Sequence, residues 1–454
     1  MAEFKLKKGY EIKIAGKSEL TLNELPEPDL VALQPNEFRG IKARLMVEAG
    51  DDVKIGTVLF ADKANPDLKF VSPVSGKVAQ INRGERRMLL EVVIENDHKN
   101  TPEAFEKWTA SDVKKLSREQ VVAHLLNSGM WPYLRQRPFN KIANHRDTPR
   151  DIFVSAMDTA PLAADPSFLL QGEEEHFQVG LDLLGKLTDG KVYLSLDGRK
   201  KSQIPAFEKA AGVEKNTFSG PHPAGNVGVH IHHIKPIRSG DVIWYVQPYI
   251  VALIGKLFTT GVFPSERIVA TAGSSIDKRS YYKTILGAPV TALVPEGSVV
   301  DKEVRFLLGN VLTGRKISPA GYVGFYDNLI TVIPEGDKKR RLMGWFFPGS
   351  DMLSYSKSFL SSWLPSKEFV LDTKVFGGKR AFIQSGDYEK FLPMDILPVH
   401  LAKSIMAEDF VEMEGLGILE CDEEDLALCS YICPSKTDFG EILRKGLDFM
   451  EREG

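Results

Sequence analysis

Three cysteines near the C-terminus, Cys421, Cys429 and Cys433, are the first residues whose type and spacing could do chemistry. Clustered thiolates serve iron–sulfur centres, for which a run such as C-x2-C-x2-C-x3-C-P supplies the four ligands that a cubane needs. Here Cys429-x3-Cys433-Pro434 matches only the tail of that run, and Cys421 lies eight residues upstream, so the set is one thiolate short. Partly buried cysteines in a helical segment are the expectation. Four of the nine histidines, His222, His230, His232 and His233, form a second cluster. On an extended chain His230 and His232 face the same side and could begin a zinc or copper site. No neighbouring carboxylate or cysteine completes a ligand set, so structural hydrogen bonding at a strand–loop junction is expected and no metal is assigned. The third cluster, Met130-Trp-Pro-Tyr-Leu-Arg-Gln-Arg-Pro-Phe139, sets aromatic rings beside guanidinium donors. Flat apolar walls with a few donors are the ordinary form of a small-molecule pocket, which makes Trp131, Tyr133, Arg135 and Phe139 pocket candidates. The competing expectation is that the same rings are core.

The elements that must position these residues follow from pattern. The chain has 454 residues, a length expected to divide into about three domains or more. Its 43% hydrophobic and 26% charged residues are those of a globular protein, and its net charge of −3 argues against a nucleic-acid partner. The longest apolar stretch, residues 242–256, is broken by Gln247 and Pro248 and is too short to span a bilayer; it reads as a strand followed by a core helix. No signal-peptide pattern is present, and three clustered cysteines do not make a disulfide framework, so a reducing, cytoplasmic setting is expected.

Residues 1–100 read as β structure, with strands near 44–47, 58–61, 76–81 and 89–94 punctuated by Gly and Asp turns. Gly50-Asp51, Pro73 and Ser75-Gly76 give the two halves of this region the look of a biotinyl/lipoyl-type barrel-sandwich module. Carriers of that type present a lysine at a hairpin tip. The corresponding tip here is Ala64-Asn65-Pro66, with Lys63 and Lys69 only flanking it, so the module is expected to be an unmodified scaffold. Residues 112–275 alternate strands near 152–156, 192–196, 242–246 and 268–272 with helices near 173–187, 205–211 and 248–260, which predicts a Rossmann-like α/β layer with a largely parallel sheet. Ser117-Arg-Glu-Gln120 is a capping box for a helix leading up to Gly129. Residues 276–350 read as a small β-grasp-like domain and 351–454 as a helical C-terminal domain. The fold class is therefore α/β and β, multidomain.

Four segments in order carry a family resemblance. They are Lys7-Lys-Gly-Tyr-Glu-Ile-Lys-Ile-Ala-Gly16, Ile81-Asn-Arg-Gly-Glu-Arg-Arg87, Gly220-Pro-His-Pro-Ala-Gly225 with His230-Ile-His232, and Asp422-Glu-Glu-Asp-Leu-Ala-Leu-Cys-Ser-Tyr-Ile-Cys-Pro434. Together they resemble the NqrA component of the bacterial sodium-translocating NADH:quinone reductase. The resemblance implies a peripheral subunit on the cytoplasmic face of the inner membrane, in a six-subunit complex that oxidises NADH, reduces quinone and exports sodium.

The domain order is also similar to that of the NADH- and flavin-binding subunit of respiratory complex I, which makes a flavin-binding, electron-entry subunit the alternative. Such a subunit needs a glycine-rich loop whose backbone N–H groups can approach phosphate. After Gly129 the segment to Phe139 has no further glycine. The expected reading is a chain that binds no cofactor of its own, with FMN, FAD, riboflavin and iron–sulfur groups in partner subunits. The resemblance then leaves it a scaffold or a quinone contact, with Trp131, Tyr133, Arg135 and Phe139 as the quinone-pocket candidates, and the isolated chain is expected to have no activity.

Overall fold

The computed structural model describes residues 2–336, 349, 352–363, 368–375, 377–383 and 386–453. Residues 30–97 form a sandwich of two antiparallel sheets. One has the order Leu30–Leu33, Leu89–Asn96, Gly76–Arg83, Asp52–Val53; the other has Ala43–Leu45, Val58–Asp62, Lys69–Val71. Alternation along these strands sends Val31, Leu33, Val78, Val92 and Ile94 inward. Phe60 stacks on Phe70 at 4.6 Å between centroids, and Phe38 lies 4.2 Å from Phe70.

The hairpin tip that would carry a modified lysine is docked. Lys69 Nζ donates to Asn127 Oδ1 at 2.9 Å, and Asn65 Nδ2 lies 3.2 Å from His145 Nδ1. These contacts set the tip against the helix Arg118–Asn127 and the turn at His145.

The α/β layer is a seven-stranded sheet. Ala2–Lys5, Glu214–Ser219, Val192–Asp197, Asp151–Ala156 and Ile243–Val246 run parallel in that order, and the hairpin Arg135–Arg137/Lys141–Ile142 closes the far edge antiparallel. The near-continuous apolar run of Asp151–Ala156 follows from burial on both faces. Ile152 and Val154 face the main core, whereas Phe153 packs with Val227 and Ile231 of the opposite layer.

Helices Glu174–Leu187 and Pro248–Thr260 cross on the main-core face through glycines. A Cβ at Gly180 would lie 2.0 Å from the Val251 carbonyl oxygen, and one at Gly255 1.9 Å from that of His176.

Three expectations need correction. Strand Glu266–Ala272 is not in the α/β layer. It pairs parallel with Leu329–Pro334 and antiparallel with Tyr281–Ile285 in a mixed six-stranded sheet, because the chain leaves the layer at Gly261. The first 24 residues lie outside the sandwich: Ala2–Lys5 extends the α/β sheet and Leu22–Glu24 pairs with Tyr281–Ile285. His230 and His232 are not on an extended chain but on the helix Val227–Ile234.

The expected boundary between 350 and 351 lies outside the described residues. Helices Pro398–Met406, Phe410–Gly415, Ala427–Ile432 and Phe439–Glu453 build the C-terminal part. The last has an apolar stripe of Leu443, Leu447 and Met450, the spacing of one helix face.

Gly180→Ala and Gly255→Ala are each expected to lower stability by about 1–3 kcal/mol through overpacking, against the gain of about 1 kcal/mol that alanine brings to an open helical site. Gly185, on the same helix as Gly180 with nothing within 4 Å of its Cβ direction, serves as the control whose alanine variant gains. Denaturant unfolding of the three variants distinguishes the signs.

Candidate functional site

The helix Arg118–Asn127 starts with the expected capping box: Ser117 N–H donates to Gln120 Oε1 at 2.9 Å, and Gln120 N–H to Ser117 Oγ at 3.3 Å. It ends at Gly129, whose φ is +74° and whose Cβ would lie 2.8 Å from Val71 Cγ1. That glycine lets the sandwich approach closely. The segment after it is a 3-10 turn, Trp131–Tyr133, and then the edge hairpin rather than an open loop.

The structure does not gather Trp131, Tyr133, Arg135 and Phe139 around one cavity. Trp131 is fully buried, with Nε1 donating to the Ala143 carbonyl at 2.7 Å and its ring edge-on to Trp244 at 5.4 Å. Tyr133 is buried, stacked on Phe325 at 4.0 Å, and its hydroxyl accepts from Arg267. Arg135 spends its guanidinium on the Asn140 carbonyl at 2.6 Å and on Tyr326 Oη at 3.1 Å. Phe139 is half-buried, at φ +78°, and its carbonyl accepts from Arg444 at 3.0 Å.

What the hairpin does present is Arg137. In the register Arg135↔Tyr245, Arg137↔Ile243, the two arginines share one face. Arg137 is wholly buried and meets three carboxylates of the C-terminal part: Glu424 at 2.8 Å, Asp425 at 3.2 Å and Asp422 at 3.6 Å. Arg444 holds the other side, 2.8 Å from Asp422 and 2.5 Å from Glu423. Asn140 Nδ2 donates to Asp422, Tyr245 Oη to Asn140 Oδ1 at 2.6 Å, and Asn226 Nδ2 to Asp425 at 3.0 Å.

Burial works against the Arg137 charge, but Asp422, Asp425 and Glu424 outweigh it and keep the guanidinium protonated. Burial also raises the Asp422 carboxyl, yet Arg137 and Arg444 bring it below its usual value. Arg137 and Arg444, with Arg39 reaching Glu423 only at 4.0 Å, face four acids. Glu424 keeps 39% of its side-chain surface but is hemmed in by protein, and this desolvation with the charges of Asp425 and Asp422 pushes it up to about 8, although Arg137 opposes the shift.

Beside this clamp lies a crevice at the carboxyl ends of Asp151–Ala156 and Ile243–Val246. The strand order reverses between these two, which is the position where open α/β sheets bind ligands. Its cavity of ≈ 150 Å³ is lined by Met157, Asp158, His222, Gln247, Asn310 and Glu424 among others. Asp158 is exposed to the cleft but ringed by protein, and this loss of bulk solvent raises its carboxyl to about 6. Burial lowers His222 to about 4, so it is a neutral imidazole, with Nδ1 3.2 Å from Thr159 Oγ1. Among the described residues no Lys or Arg lines the crevice, a charge balance that disfavours phosphate.

His230 Nε2 and the Ala224 carbonyl are 2.9 Å apart, and His232 Nδ1 is 2.8 Å from Glu420. Cys421, Cys429 and Cys433 are buried free thiols, and the Tyr388 hydroxyl lies 3.2 Å from Cys433 Sγ. Among the described residues no group of three or more His, Cys, Asp or Glu converges as a metal site.

Sequence reasoning missed Asp158, Glu424 and the role of Arg137. The available signal was Asp422-Glu-Glu-Asp425 running straight into the apolar Leu426-Ala-Leu428, since acids that are pulled under need cations.

Removing the cation leaves buried carboxylates uncompensated, so Arg137→Met is expected to cost about 3–5 kcal/mol, with partial recovery on adding Asp425→Asn. Thermal unfolding of both variants measures this. For Glu424, a folded pKa of about 8 against an ordinary 4.5 means that the folded state holds more protons between those values. Stability through this group is therefore present at low pH and falls as pH rises towards 8. Glu424→Gln is expected to flatten that fall in a Tm series from pH 5 to 9.

Three family models match the chain: the NqrA N-terminal barrel-sandwich hybrid domain over residues 4–97, the NqrA second alpha/beta domain over 116–263, and the NQRA C-terminal domain over 268–318. The NqrA component of the Na(+)-translocating NADH-quinone reductase of Yersinia pseudotuberculosis serotype O:1b (strain IP 31758) is 42% identical over 452 residues, 99% of this chain and 100% of that protein. The corresponding protein from Neisseria meningitidis serogroup B (strain ATCC BAA-335 / MC58) is 42% identical over 451 residues, again 99% of this chain and 100% of that one. Among solved structures, an NAD+-reducing [NiFe]-hydrogenase in the H2-reduced state aligns with TM-score 0.42 and 11% identity, covering 76% of this chain and 63% of that one. At full length and this identity, the chain belongs to the NqrA family of the Na(+)-translocating NADH-quinone reductase.

Proposed function

We propose that this chain is a peripheral scaffold subunit of a sodium-translocating NADH-quinone reductase, on the cytoplasmic face of the inner membrane, and that it binds no redox group itself. FMN, FAD, riboflavin and iron–sulfur groups belong to partner subunits in this reading, and sodium export belongs to the six-subunit complex. The observation that carries it is the sealed edge hairpin: Trp131 and Tyr133 fill the space after Gly129, and Arg137 clamps that hairpin to residues 422–425. An element closed by buried rings and a buried ion cluster offers no cradle for a flavin phosphate. No helix among the described residues is long and apolar enough to cross a membrane, so partner subunits hold the chain in place.

A quinone contact is the second reading. The crevice supports it better than Trp131, Tyr133, Arg135 and Phe139 do. Its apolar Met157, Leu169 and Pro248 lie beside Asn310 and Asn328, which could donate to quinone carbonyls.

The purified chain is expected to show no visible flavin or cluster absorbance and no NADH oxidation with an artificial acceptor. A yellow flavin band would replace this reading with the electron-entry one. In the assembled reductase, Asp158→Asn should raise the apparent quinone requirement if the second reading holds, while Arg135→Ala should not.

A further inference from the structure

Of the four segments that carry the resemblance, three meet. Tyr10 N–H donates to the His222 carbonyl at 2.8 Å, and the Tyr10 ring lies 6.5 Å from that of Tyr431. The fourth, residues 81–87, lies apart on an exposed hairpin of the sandwich.

This hairpin walls a groove of ≈ 750 Å³ that holds Arg39, Lys42, Arg44, Lys63, Arg83 and Arg87 and no Asp or Glu. On a chain of net charge −3, six cations without an acid make a strong local positive field. Arg39 is paired with Asp448, but among the described residues the other five form no ion pair. The Arg83 guanidinium donates only to the Arg87 carbonyl, at 3.3 Å.

The backbone of the groove is open as well. Ala43–Leu45 is an edge strand, paired only with Val58–Asp62. Lys63 N–H donates to the Lys42 carbonyl and Met46 N–H to the Leu59 carbonyl, both at 2.9 Å, which turns the even-numbered residues toward that partner strand. Antiparallel alternation leaves the N–H and C=O groups of Ala43 and Leu45 facing outward. Across the groove, the edge of Gly76–Arg83 is covered as far as Val78, which donates to the Asp51 carbonyl at 2.9 Å and accepts from Gly50 N–H at 2.8 Å; among the described residues no strand pairs with that edge beyond Val78. Met88, 55% exposed, lines the groove, and Met46, 56% exposed, lies just past Leu45 where the groove gives way to a neighbouring hollow that also holds Glu48 and Asp51.

We propose that this groove docks an acidic, extended segment of another component of the reductase, added as a strand on Ala43–Leu45. Its carboxylates meet Lys42, Arg44, Arg83 and Arg87, and its apolar side chains rest on Met46 and Met88. Main-chain pairing supplies affinity in strand addition, and alternate side chains supply choice of partner. A second copy of this chain is disfavoured because it would bring the same cations to the edge. A lipid surface would neutralise the charge but leave the strand's backbone groups without a backbone partner. The proposal rests on the reading of the chain as a peripheral subunit.

The test places a photo-cross-linking amino acid at position 88 of the assembled reductase and identifies the adduct by mass spectrometry. An adduct with an Asp/Glu-rich peptide of another subunit is the expected result. A phospholipid adduct, a self-adduct, or none with the complex intact overturns the proposal. In parallel, Arg44→Glu with Arg83→Glu and Arg87→Glu should weaken retention of this chain on salt-washed membranes on the order of tenfold, since like charges face each other. Unchanged retention overturns it. If Tm shows that this variant misfolds, Arg83→Gln with Arg87→Gln, confined to the exposed hairpin, gives the same reading. A flavin band in the purified chain would overturn the proposed function and leave these outcomes unaffected.

Discussion

The burial of one guanidinium organises this protein. Arg137 sits at no solvent exposure between a sheet-edge hairpin and the acidic run at residues 422–425. A buried cation is tolerable only when carboxylates surround it, and those carboxylates are tolerable only because Arg137 and Arg444 face them. Neither side could be pulled under without the other. The cluster therefore ties the C-terminal part to the α/β layer more stringently than an apolar contact would. It also leaves acids in excess, four against Arg137, Arg444 and the more distant Arg39, and the mismatch shows in Glu424, held near 8 where it lines the crevice.

The same clamp decides what the switch-point crevice can accept. Among the described residues no Lys or Arg lines it to meet a phosphate, although its place in the sheet is the usual one for a nucleotide. Gly129, after which the segment to Phe139 has no further glycine, makes room for Val71 of the sandwich. The position is that of a nucleotide site, and the side chains around it are acids, amides and apolar groups. Position in a fold thus says where a ligand would go, and only side chains say whether it can.

A second constraint is topological. The first 24 residues touch the α/β sheet through Ala2–Lys5 and the mixed sheet through Leu22–Glu24 before the chain enters the sandwich. Gly9 and Gly16 let this thread pass close to His222 and Gly273, where a Cβ would lie 2.2 and 2.3 Å from backbone atoms. One strand-poor segment, running between three units, limits how they can move relative to one another. It does so through parallel edge pairings that need no local turn.

Local order was legible in the sequence. Periodicity placed the helix Pro248–Thr260 and three of the seven strands of the α/β layer, Asp151–Ala156, Val192–Asp197 and Ile243–Val246, within a residue, and the Ser117 capping box was plain from residue types alone. These signals are short-range: they depend on spacing along one element and on hydrogen bonds within a turn. Tertiary structure alone decided the rest. It put Glu266–Ala272 in the mixed sheet, the first strand at the far edge of another domain, and His230 on a helix. The same distinction governs the site. Trp131 and Tyr133 have a composition that serves a pocket wall or a core equally well, and burial chose the core. Arg137 and Asp425 lie 288 residues apart, and no local pattern encodes their meeting. Ion pairs between distant segments leave no periodic mark on a sequence and become visible only when folding removes water from both partners.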